Sequence, residues 1–142
     1  MKEVLIIDDE SNARADLKSL INDHCPDLLL IGEADSVDSG VKLIQTLKPH
    51  AVFLDIAMQN GSGFDLLDQF DHNPFQVIFQ TAFDEFAIKT FKYNAIDYLL
   101  KPVSIEELKK AADKITVEQN HSKITQQLSN LLRLAKKEHS KE

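Results

Sequence analysis

A chain of 142 residues with 43% hydrophobic and 27% charged side chains can fill one core and is too short for two ordinary domains. No apolar run reaches membrane-spanning length, and Met1-Lys2-Glu3 leads into a strand pattern rather than a signal peptide, so a cytoplasmic location is the default expectation. The net charge of −7 is uneven: residues 1–103 carry 17 acidic and 8 basic side chains and residues 104–142 carry 6 and 8, which argues against nucleic-acid binding by the larger part.

Val4-Leu5-Ile6-Ile7 is an unbroken apolar run closed by Asp8-Asp9-Glu10, the pattern of a strand buried on both faces. Ser11 or Asn12 is placed to cap a helix whose Ala13, Leu17, Leu20 and Ile21 recur at helical spacing. Cys25, the single cysteine, allows no internal disulfide and sits beside Pro26 at a loop or helix end. Residues 28–31 read as a second strand. Ser36 caps a helix with Val37, Val41, Ile44 and Leu47 on one face, stopped by Pro49. Ala51-Val52-Phe53-Leu54-Asp55 is a short apolar strand ending in a carboxylate, with Gly61 and Gly63 in the loop behind it.

A short helix follows Ser62, with Phe64, Leu67 and Phe70 inward. Residues 75–79 form a fourth strand leading into Gln80-Thr81, and Asp84 caps a helix over 84–92 that carries Ala87 and Phe91. Residues 95–100 form a fifth strand ending in Lys101-Pro102, a peptide bond open to cis or trans. Ser104-Ile105-Glu106-Glu107 is a capping box opening a last helix with Leu108, Ala111, Ala112 and Ile115 inward. The helical phase breaks over 116–122 and resumes at Ile124, Leu128, Leu131 and Ala135, a narrow stripe suited to a partner helix; folding back on its own domain is the alternative.

Five strand–helix alternations imply an α/β fold, a parallel sheet with helices on both faces; the fold expected is a flavodoxin-like (βα)5 doubly wound sheet with a C-terminal helical extension, if the strand order is 2-1-3-4-5. Strands one and three are then neighbours, and ligands bind outside the carboxyl ends of strands at such a switch point. Asp8, Asp9 and Asp55 would meet there, and like charges so close require a positive partner. A hard divalent cation that keeps its waters, Mg2+, fits best. Beside it Asp55 can act as a nucleophile toward a phosphoryl group, with the Lys101 ammonium as a second cation and the Thr81 hydroxyl as a donor. The five histidines, His24, His50, His72, His121 and His139, have no zinc-like spacing and read as surface or helix-end groups, and Met58 as a gap filler.

Val4-Leu5-Ile6-Ile7-Asp8-Asp9-Glu10, Phe53-Leu54-Asp55-Ile56-Ala57-Met58, Thr81-Ala82 and Asp97-Tyr98-Leu99-Leu100-Lys101-Pro102 together resemble the signature of receiver domains of two-component response regulators. Phe79-Gln80-Thr81-Ala82-Phe83-Asp84-Glu85-Phe86-Ala87 and Asn94-Ala95-Ile96-Asp97-Tyr98 further resemble the LytR/AlgR (LytTR-type) subfamily. The resemblance implies Asp55 as phosphoacceptor, Asp8, Asp9, Asp55 and the Ala57 backbone carbonyl as Mg2+ ligands, Thr81 and Lys101 as phosphoryl-binding groups, and Tyr98 as an aromatic that changes rotamer with Thr81. Gln59 departs from it, standing where the family commonly has proline. The resemblance also implies a signalling switch whose only catalysis is its own phosphoryl transfer and hydrolysis, with a sensor histidine kinase as its partner.

On this reading residues 1–116 are the receiver and 117–142 a helical linker toward an output domain not present in this chain, through which DNA would be bound. Phosphorylation would reshape the face formed by residues 84–92, strand five and residues 104–115, and a homodimer would form there. Two other classes fit less well. A haloacid dehalogenase-type phosphatase needs a carboxylate two residues after its nucleophile, and Ala57 stands there. A pseudo-receiver would have lost an acid or the lysine.

Overall fold

A computed structural model describes residues 1–117 except 73, 88, 89, 91, 92 and 94. Five parallel strands, β1 (Lys2–Ile7), β2 (Leu28–Ala34), β3 (Ala51–Asp55), β4 (Gln76–Thr81) and β5 (Asp97–Leu100), form one sheet. Their order is β2-β1-β3-β4-β5, the order that makes strands one and three neighbours. The apolar runs are unbroken because both faces of the sheet are covered. Successive side chains of a strand alternate sides, so Val4, Ile6, Phe53, Ile78 and Leu99 pack with Leu17 and Ile21 of α1 (Ser11–His24) and Leu108 and Ala111 of α4 (Ile105–Lys114). Leu5, Ile7, Val52, Leu54, Val77 and Phe79 pack on the other side with Val37 and Ile44 of α2 (Val37–Leu47) and Phe64, Leu66 and Leu67 of α3 (Gly63–Leu67).

Local chemistry sets most of the boundaries. Ser36 and Ser39 form a reciprocal capping box at α2, Ser62 and Asp65 form another at α3, and Ser104 accepts the Glu107 N–H at α4. Lys48 closes α2 in the left-handed conformation, one residue before Pro49. Cys25 caps the C-terminal end of α1, and burial pushes its thiol pKa up, which suits a core group.

Several expectations are corrected. Neither Ser11 nor Asn12 caps α1: Glu10 holds the cap position without a side-chain bond, and Asp8 Oδ1 accepts the Glu10 N–H instead. The strand-ending acid thus makes the turn itself. Strand β2 extends past residue 31 to Ala34, because Gly32 and Glu33 interrupt the apolar run without interrupting the pairing. Strand β4 spans Gln76–Thr81 and β5 begins at Asp97, with Phe75 and residues 95–96 outside the ladder. Asp84 opens a 3-10 turn, Asp84–Phe86, from inside, with Phe83 at the cap and no side-chain cap bond; much of the expected 84–92 helix lies outside the described residues. So does the expected extension over 117–142, apart from Val117. His50, two residues past the cap of α2, is partly buried, and its Nδ1 accepts the Glu3 N–H at 2.8 Å.

Candidate functional site

Asp8, Asp9, Asp55, Thr81 and Lys101 all follow or end strands that point the same way, so one edge of the sheet receives them. Asp8 and Thr81 are fully buried, Asp55 is 4% exposed, and Asp9 and Lys101 are partly exposed at the rim. Lys101 Nζ lies 2.6 Å from Asp8 Oδ2 and 3.1 Å from Asp55 Oδ2. Carboxylate oxygens of Asp8, Asp9 and Asp55 all fall within 4.8 Å of one another. The Lys101–Pro102 peptide is cis.

One ammonium is little positive charge for three carboxylates. Burial drives the Asp55 pKa up to about 6; Lys101 opposes that rise and Asp8 adds to it. Burial also works against the Lys101 ammonium, but its hydrogen bond to Asp8 and the charge of Asp55 outweigh that, and its pKa stands above the ordinary lysine range. The shortfall in positive charge and the all-oxygen donor set fit a hard divalent cation such as Mg2+. Asp8, Asp9 and Asp55 are the groups that would hold it.

The loop behind Asp55 is a two-rung antiparallel hairpin, with Ala57 opposite Ser62 and Met58 opposite Gly61. The Ala57 N–H donates to Asp55 Oδ1 at 3.2 Å and the Gln59 N–H to Asp9 Oδ2 at 2.9 Å. Gln59 and Asn60 make the turn, and Gly61 leaves it at φ 129, in the region that favours glycine. Gly63 lies against β3: a Cβ there would stand 2.6 Å from the Asp55 carbonyl oxygen and 3.1 Å from Leu54 Cγ. Gly63→Ala is therefore expected to lower stability by about 2 kcal/mol in urea unfolding, since the neighbour that must yield is backbone. An unchanged midpoint would show that the strand end can give way at no cost.

Thr81 and Tyr98 meet through one residue. The Phe83 N–H donates to Thr81 Oγ1 over a long 3.4 Å, and the Tyr98 hydroxyl donates to the Phe83 carbonyl. Tyr98 is half-buried, its ring packed against the cluster around Phe79.

Sequence reasoning missed three contributors. Arg14 donates to the Asp8 carbonyl at 2.7 Å while pairing with Glu33 at 3.1 Å, so it ties the β1–α1 turn to β2. Its only signal was its place one turn into α1. Gln80, paired in register with Asp55, is 1% exposed with its Nε2 unpartnered among the described residues. Tyr93 stacks on Phe64 and donates to Asp68 at 3.0 Å, joining α3 to the segment after the 3-10 turn.

A parallel α/β sheet with an acidic, lysine-bridged cluster at its switch point defines the class of fold and site. The family model for the response regulator receiver domain matches residues 4–113, and the chain belongs to that family. It is 41% identical over 132 residues to an uncharacterized response regulatory protein of Vibrio vulnificus, covering 92% of this chain and 54% of that protein. It is 36% identical to the transcriptional regulatory protein BtsR of Escherichia coli (88% and 52% covered) and 40% identical to the sensory transduction protein LytT of Enterococcus faecalis (81% and 48%). The chain thus spans about half the length of these curated relatives. Among solved structures, the response regulatory domain of mrkE from Klebsiella pneumoniae superposes with a TM-score of 0.70 at 33% identity, covering 80% of this chain and 93% of that one.

Proposed function

We propose that this receiver is switched by Mg2+-dependent transfer of a phosphoryl group from the phosphohistidine of a sensor histidine kinase to Asp55. The observation that carries the reading is the lysine bridge. Lys101 reaches both Asp8 and Asp55 from a different strand, on the edge where Asp9 and Thr81 also arrive. Ionised Asp55 would attack phosphorus, the P–N bond of the donor would break, and an acyl phosphate would remain on the carboxylate. Mg2+ bound by the three acids and the Ala57 carbonyl would neutralise charge on the phosphoryl oxygens. Lys101 would exchange a carboxylate for a phosphoryl oxygen, and the Thr81 hydroxyl would donate to another.

Turning the Thr81 hydroxyl toward the phosphoryl group gives up its weak contact with the Phe83 N–H. The Tyr98 hydroxyl, held by the other end of Phe83, would lose its anchor, and the ring could swing into the space behind Thr81. The face built from residues 84–92, β5 and α4 is the two-state element, and the phosphoryl group biases it by binding one state better. Shifting it from rare to dominant takes about 5 kcal/mol of differential binding. A homodimer would form on that face.

Residues 117–142 would form a helical linker to a DNA-binding output domain. The half-length match and the name of the Escherichia coli relative support a role in transcription regulation. Acetyl phosphate with Mg2+, read by intact mass, should add one phosphoryl group to the native chain and none to Asp55→Asn; equal labelling of both would move the acceptor elsewhere. Scattering with beryllofluoride and Mg2+ should show a doubled mass, and an unchanged monomer would defeat the dimer.

A further inference from the structure

Asp8 and Asp55 are fixed by the lysine between them, whereas Asp9 stands partly exposed at the rim. Two contacts hold it. Arg14 clamps the Asp8 carbonyl, and so the peptide that leads into Asp9, at 2.7 Å. The Gln59 main-chain N–H donates to the Asp9 carboxylate at 2.9 Å. Two residues before Gln59, the Ala57 N–H donates to Asp55 at 3.2 Å. N–H groups two residues apart on an extended chain point the same way, so one hairpin aims one donor at each acid. We propose that this hairpin is a template setting the spacing of Asp55 and Asp9 for a divalent cation, and that the Gln59 N–H is the positioning group for Asp9.

The inference rests on reading the acid cluster as a cation site. A carboxylate offers about four lone-pair positions, so accepting one N–H leaves the rest for a cation while fixing the rotamer. The Gln59 side chain is exposed, and the work falls on its main chain. A cavity of about 280 Å³ lies beside Asp9, Met58 and Gln59. The donor can be deleted cleanly. Proline has no N–H; Met58, before it, lies in an extended ladder that proline permits; and Gln59 is not among the described residues at positive φ, where the ring could not be placed.

The comparison is therefore Gln59→Pro against Gln59→Ala, which keeps the donor, titrated with MgCl2 and followed by amide chemical shifts. The proline variant is expected to bind Mg2+ about fivefold more weakly than the alanine variant, the loss of one charge-assisted hydrogen bond at a partly solvated site. Equal affinities would overturn the proposal. A second arm needs no cation: in Mg2+-free protein, Asp9→Ala should speed hydrogen exchange of the Gln59 amide by about tenfold. An unchanged rate there would also overturn it, whatever the fate of the proline variant. If the native chain takes up no Mg2+, the reading of the previous subsection fails, and the exchange arm still decides whether Asp9 and the hairpin hold each other.

Discussion

Lys101→Ala is expected to lower the stability of the Mg2+-free protein by on the order of 3 kcal/mol at pH 7, because removing one partner of a buried ion pair strands the other. Here it strands two. Asp8 is fully buried and Asp55 nearly so, and each loses its contact with the ammonium at 2.6 and 3.1 Å. The site has one escape, protonation. Lys101 is the main influence, with the Ala57 N–H a lesser one, that holds the Asp55 pKa down to about 6 against burial and Asp8, so without it the carboxyl binds its proton more tightly still. The folded variant then keeps a proton that the unfolded chain releases, and its stability falls as pH rises through that raised pKa. Urea midpoints at pH 5 and pH 8 separate this from lost packing. An electrostatic deficit is larger at pH 8, shrinks with added Mg2+ and persists in Lys101→Met, which keeps the apolar stem. A deficit equal at both pH values and abolished by methionine would mean that the stem matters and the charge does not.

That the site depends on charge also explains what could be read from the sequence. The parallel sheet was legible because burial on both faces writes itself as runs such as 4–7 and 51–54, and each run ends abruptly where a polar group enters. Those abrupt ends are the site, so Asp8, Asp55, Thr81 and Lys101 were visible as soon as strand order was known. The boundaries that failed are places where pairing outlasts hydrophobicity, as at Gly32 and Glu33 in β2. The hairpin behind Asp55 was invisible for a different reason. Two-residue strands have no period, and their function here lies in backbone N–H groups, which every residue but proline carries. Gln59 stood out only as a missing proline, and a sequence shows the side chain that replaced it rather than the donor that came with it. Arg14 acts through a carbonyl oxygen, and Gln80 lies in a strand where a buried amide has no pattern of its own. The 3-10 turn at Asp84–Phe86 shows propensity yielding to tertiary context: Phe83 is tied to Thr81 and Tyr98, which fixes the entry to the turn before any cap can form.

The opposite substitution at the same pair carries the opposite sign. Asp55→Asn is expected to raise the stability of the Mg2+-free protein by on the order of 2 kcal/mol at pH 7. Asp55 sits at a folded pKa of about 6 against an ordinary 3.8, with burial as the first cause. Below about pH 4 the carboxyl is protonated in folded and unfolded chains alike, and the native acid costs nothing relative to the amide. Between pH 4 and 6 the folded chain binds the proton that the unfolded chain has lost, so native stability falls as pH rises. Above 6 the penalty is constant. The advantage of the variant should therefore open between pH 4 and 6 and then hold level, in urea unfolding followed by circular dichroism. Lys101 keeps Asp8 as its partner throughout, so the variant strands no charge. Saturating Mg2+ should reverse the ranking, because it would bind the ionised native site and find one carboxylate fewer in the variant. An advantage of the same size at pH 4 and pH 7 would trace to packing or hydrogen bonding. Asp55 would then not be an acid that burial strains.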